Sequence, residues 1–97
     1  MKPLDLEIFT QEVMDSPGTN VIFVYSSAIP FSMEMMDMLA DRDWYQVDAH
    51  TESQLAFILN IVALPTIIVL YNGQIISFKV GNITLEELER WLKLISS

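Results

Sequence analysis

Apolar positions recur along this chain in two periods, and the switches between them mark the elements. Leu6, Phe9 and Val13 repeat at helical spacing and predict a first helix over residues 4–14, stopped by Ser16-Pro17-Gly18. Residues 20–26 then form a continuous apolar run rich in β-branched and aromatic side chains, the pattern of a central strand covered on both faces. Pro30 stands where a helix can open, because proline at the first helical position gives up a donor that has no partner there anyway; the second helix is expected over 30–41. Residues 44–48 predict a short strand. Thr51-Glu52-Ser53-Gln54 has capping-box spacing and opens a third helix that runs to about Asn60.

Two further strands, 66–71 and 74–79, flank Asn72-Gly73. That dipeptide suits a type I′ turn, which requires positive φ at both central residues, so these strands form an antiparallel hairpin. A second capping box, Thr84-Leu85-Glu86-Glu87, opens the last helix, with Leu85, Leu88, Leu92 and Ile95 on one stripe. The order is α-β-α-β-α-β-β-α. Alternation of helices and strands favours parallel crossovers, and the terminal hairpin adds an antiparallel edge. The expected architecture is a single α/β domain over 1–97 with a four-stranded mixed sheet and helices on both faces.

Composition narrows this picture. At 97 residues and 52% hydrophobic, the chain is long enough for one buried core and too apolar to be disordered. Its longest apolar runs are strand length rather than membrane length, and the start shows no secretory pattern, so the expectation is a cytoplasmic, soluble protein with no membrane partner. The net charge of −8 is uneven: residues 3–41 carry seven acids and no Lys or Arg. Such a surface repels phosphate backbones and argues against direct nucleic-acid binding.

Residues 47–66 line up without a gap on the pattern of a strand ending in Val-Asp, a helix, and an apolar-Pro-Thr turn, through Val47, Asp48, Leu55, Ala56, Leu64, Pro65 and Thr66. With Asn72-Gly73 and Lys79-Val80-Gly81, this arrangement resembles the thioredoxin-like superfamily over roughly residues 21–95. The resemblance implies a cis Leu64-Pro65 bond facing an active-site loop, at a turn whose backbone pairs with an extended substrate peptide. It also places the family's Trp-Cys-Gly-Pro-Cys segment on Ser27-Ala28-Ile29-Pro30-Phe31. Ala28 and Phe31 stand where the two cysteines belong, and Ile22 where the family has a buried acid. The chain contains no cysteine at all. Thiol exchange needs a thiolate, so the resemblance is to a redox-inactive member.

No other chemistry replaces it. The lone His50 reads as a surface loop residue, and Ser26, Ser27 or Ser32 would need a base and an orienting group that the chain does not supply. Met33, Met35, Met36 and Met38 crowd one helix; they suit core packing and an adaptable apolar surface better than Cu(I). Phe57, Trp44 and Trp91 are expected in the core. No metal or cofactor is expected, and no enzymatic activity. The expected function is a protein-binding, chaperone or assembly module, with another protein or an extended peptide as partner. Its expected surface is Ala28, Ile29, Pro30 and Phe31 from one loop, Ala63, Leu64 and Pro65 from a second, and Gly81 and Asn82 from a third. The alternatives are an acidic accessory subunit that binds through its helices, and an enzyme with non-thiol chemistry.

Overall fold

The computed structural model describes residues 1–29 and 33–96. The chain runs through β1 (Lys2–Pro3), α1 (Leu6–Ile8) continuing into a π-helical stretch (Phe9–Val13), β2 (Thr19–Tyr25), α2 (Met33–Leu39) and β3 (Tyr45–Asp48). It goes on through α3 (Ser53–Ile58), β4 (Thr66–Tyr71), β5 (Gln74–Val80) and α4 (Leu85–Ser96). The strands form one mixed sheet in the order β1-β3-β2-β4-β5. β2 pairs parallel with β3 and antiparallel with β4, and the β4–β5 hairpin closes one side.

The predicted order of helices and strands is present, with one addition. Lys2 N–H donates to the Trp44 carbonyl and Leu4 N–H to that of Gln46, both at 2.8 Å, so two residues form a fifth strand parallel to β3. Two residues carry no readable period, and Pro3 is tolerated because the strand is an edge. The sheet is therefore five-stranded rather than four-stranded.

The first helix is shorter than its apolar spacing suggests. Asp5 caps it by accepting from Ile8 N–H at 2.8 Å. Further on, the Thr10 hydroxyl donates to the carbonyls of Leu6 and Glu7, and the ladder widens until Met14 N–H donates to the Phe9 carbonyl at 2.8 Å. The expected capping box at Thr51 does not form. Asp48, at the end of β3, organises that turn instead: its carbonyl accepts from Glu52 N–H at 2.8 Å and from the Thr51 hydroxyl at 3.3 Å. The second capping box does form, with Glu87 N–H on the Thr84 hydroxyl at 3.1 Å and Thr84 N–H on the Glu87 carboxylate at 3.4 Å.

Alternate residues of β2 and β4 feed two cores, one on each face of the sheet. Ile22, Val24, Ile68 and Leu70 pack with Phe9, Val13, Leu55 and Leu59. Phe23, Ile67 and Val69 pack on the other face with Met35, Leu39, Leu88 and Trp91. Met36, Met38 and Trp44 are half-buried against this second cluster. The described methionines of α2 thus serve packing. Burying each large side chain contributes roughly 1.5–3 kcal/mol relative to exposure.

At the end of the sheet where β2 begins and β4 stops, two turns interlock. Asn72 and Gly73 have φ of 52° and 82°, as the type I′ turn requires. The Asn72 side chain accepts from Gly18 N–H at 2.8 Å, and its own N–H donates to the Gly18 carbonyl at 2.9 Å. Gly73 lies so close to the end of the first helix that a Cβ there would fall inside the Met14 carbonyl.

Candidate functional site

At the opposite end of the same strands, β2 leads into a loop that its own polar groups build. Ser26 is buried, and its hydroxyl accepts from Ala28 N–H at 3.1 Å while its carbonyl accepts from Ile29 N–H at 3.3 Å. Across the β2–β3 pair, one Asp48 oxygen accepts from the N–H groups of Ser27 and His50, each at 3.0 Å. Desolvation alone would raise the Asp48 pKa, but hydrogen bonds from the Ser27 side chain and these two amides, with help from the His50 ring, hold it below the usual carboxylate range. The Tyr25 phenol is pushed up, first by burial and then by the Asp48 charge. These contacts commit Ser26 and Ser27 to holding the loop, which presents Ala28 and Ile29 to solvent.

The second loop lies beside it. The Leu64–Pro65 peptide bond is cis. Pro65 is buried and Ala63 exposed, and the Thr66 hydroxyl donates back to the Ala63 carbonyl at 2.6 Å. Gly81 N–H donates to the Pro65 carbonyl at 2.8 Å, which ties the end of β5 to this turn. Gly81 has a φ of 90° and open space around it.

Helix α3 supplies the third wall. Leu55 and Leu59, four residues apart, point into the core, so Phe57 between them must point away. Phe57 is 85% exposed. The helix ends on Asn60 at φ 62°, with Asn60 N–H on the Phe57 carbonyl at 3.0 Å and Ile61 N–H on the Ala56 carbonyl at 3.1 Å. That paired termination turns the chain sharply and releases Val62 into solvent, 90% exposed. Ile29, Phe57, Ile61, Val62, Ala63 and Leu64, with small residues of α3 and its approach, line one groove of about 440 Å³.

Of the residues expected at the site, Ile29, Ala63 and Leu64 meet in this groove. Ala28, Pro65, Gly81 and Asn82 are not among its lining: Pro65 and Gly81 fix the loop from beneath or beside it, and Ala28 lies on the loop surface. Pro30 and Phe31 lie outside the described residues. Phe57 belongs to the site and not, as expected, to the core. Val62 was missed altogether. Two signals pointed to them. Leu55 and Leu59 already occupy the inward stripe of α3, and residues 53–85 contain no Asp or Glu and a single basic residue, Lys79, in a chain of net charge −8. His50, exposed in the loop after β3, contributes its backbone N–H to Asp48 as structure.

No family model matches the sequence, and no curated protein matches it. Solved structures do. The thioredoxin Mala s 13 of Malassezia sympodialis superimposes with a TM-score of 0.83 at 22% identity, over 100% of this chain and 91% of that one. Human ERp44 superimposes with a TM-score of 0.81 at 18% identity, over 99% of this chain and 33% of that one, so the chain spans a third of ERp44. At such identities the likeness speaks to architecture alone. Sheet order, the cis-proline turn and these superpositions agree: the chain has the thioredoxin-like fold and, with no cysteine, no thiol of its own for disulfide exchange.

Proposed function

We propose that this chain is a redox-inert binding module that holds an extended apolar segment of another protein at the groove beside the cis-proline turn, in a chaperone or assembly role. The observation that carries the proposal is the exposure of Phe57 and Val62 on an uncharged groove of an otherwise acidic molecule. A surface that needed only to be wet would carry charge there, and contiguous exposed apolar side chains mark contact sites. A rigid support makes this groove ready to bind, because the Asp48 and Ser26 hydrogen bonds and the Gly81–Pro65 bond fix its loops before a partner arrives.

The test compares capture from the native cell lysate by the wild type and by Ile29→Asp and Ala63→Asp variants, followed by mass spectrometry. Both positions are exposed, so the variants keep their fold by circular dichroism. One partner enriched by the wild type and lost with both variants supports the groove. Capture that ignores both substitutions and fades with salt transfers the contact to the acidic helices and overturns the proposal.

A further inference from the structure

The two edges of the sheet are treated differently. β1 is two residues long, holds a proline, and its Lys2 pairs with Asp43 at 3.5 Å and covers the Tyr45 ring at 4.7 Å. Those are the devices that keep an edge from pairing with another chain. β5 is seven residues long with no proline and one charge, Lys79. Ile76, Phe78 and Val80 along it are about half exposed. The register slips only between Val69 and Leu70, leaving residues 77–80 as a regular ladder against residues 66–69.

The hydrogen-bond pattern shows which backbone groups this edge offers. Gly81 N–H donates to the Pro65 carbonyl, so the Thr66–Val80 pair between them is a non-hydrogen-bonded pair of the β4–β5 ladder. By the same alternation Phe78, opposite Ile68, is another. The N–H and C=O groups of Phe78 and Val80 therefore point outward, away from β4.

From this edge we infer that β5 is the seam of a homodimer, in which two copies pair β5 against β5, antiparallel, about a two-fold axis at Phe78. That register gives a reciprocal pair of N–H to C=O bonds between the two Phe78 residues and sets their rings side by side on one face. On the other face it places Lys79 opposite Ser77 of the second copy, so the lysines do not meet. Charge permits a second copy on this side, and the outward backbone groups of β5 match their own two-fold copy. Two molecules of net charge −8 repel through their acids, and all thirteen acids lie outside residues 53–85, the stretch that contains the hairpin. The site is separate from the groove, since neither Phe78 nor Val80 lines it.

Sedimentation velocity on the full chain at tens of micromolar tests the seam. The expected result is a dimer that Phe78→Lys weakens at least tenfold while Phe57→Lys leaves it intact. Because the chain has no cysteine, Phe78→Cys introduces a unique thiol. Its oxidation is expected to give an interchain disulfide much faster than that of the surface control Gln11→Cys, and this arm stands even if Phe78→Lys fails to fold. A monomer at this concentration, a dimer indifferent to Phe78→Lys, or equal oxidation of the two cysteine variants would overturn the inference. A dimer broken by Phe57→Lys but not Phe78→Lys would overturn it too, placing the contact at the groove.

Discussion

The two ends of the central β2–β4 pair are finished in opposite ways. Where β2 starts and β4 stops, the Gly18 and Asn72 turns satisfy each other's backbone groups and Gly73 is pressed against the Met14 carbonyl. Where β2 stops and β4 starts, the loops are held from below by Asp48, Ser26 and Gly81, while their outer surface is Ile29, Val62 and Ala63 beside Phe57. One end spends its polar groups on closure. The other uses them to hold an apolar surface open to solvent, which is how a fold supports a site rather than merely ending its strands.

Substitutions that break this contrast should show it in their costs. The largest effect is expected at the closed end. Gly73→Ala puts a methyl into the Met14 carbonyl and forces alanine to a positive φ, so it should cost about 3 kcal/mol or more and appear as a large fall in denaturation midpoint. A midpoint within a degree of wild type would contradict the interlock. Next, two residues of the same helix should separate. Leu59→Ala empties a fully buried position and should cost about 2–5 kcal/mol, whereas Phe57→Ala should change stability by about 0.5 kcal/mol or less. Equal costs would mean that Phe57 is a core residue after all.

A further effect, smaller than those of Gly73→Ala and Leu59→Ala, is pH-dependent. The Asp48 carboxyl is held below its usual range in the folded chain, so it favours folding above the ordinary carboxylate pKa of about 4 and loses that contribution as the pH falls through its lowered value. Asp48→Ala should therefore destabilise the chain near neutrality by about 1 kcal/mol, through the lost hydrogen bonds from Ser27 and His50, with a gap that narrows in acid. Urea melts of both proteins across that range check it; a gap that widens in acid would reverse the assignment.

Much of the architecture was legible because strong local chemistry wrote it. Asn72-Gly73, the Thr84 capping box and the two-sided apolar strands each specify one conformation, and each appears as read. Weaker signals lost to their surroundings. Thr51 has capping spacing, but Asp48 holds the same turn, and the first helix widens to π-helical pairing over Phe9–Val13, where the Thr10 hydroxyl bonds the Leu6 and Glu7 carbonyls, a change of pitch that apolar spacing does not show. The site was half legible for a similar reason. Ile29, Ala63 and Leu64 follow from the loops flanking the turn, but Phe57, at a helix position expected to suit the core, faces solvent. The periodicity of Leu55 and Leu59 carried the better information. β1 left no trace, because its two residues are defined by β3 and not by themselves.

Peptide binding is proposed at the open end of the β2–β4 pair. Peptides selected from a random library against the wild-type protein, then titrated by fluorescence anisotropy against wild type and Val62→Lys, measure it directly. Val62 is 90% exposed, so the substitution leaves the core untouched. The predicted result is a set of apolar extended peptides whose affinity falls at least tenfold, about 1.4 kcal/mol, in the variant. Selected peptides that bind both proteins equally would place binding away from the groove and contradict its role.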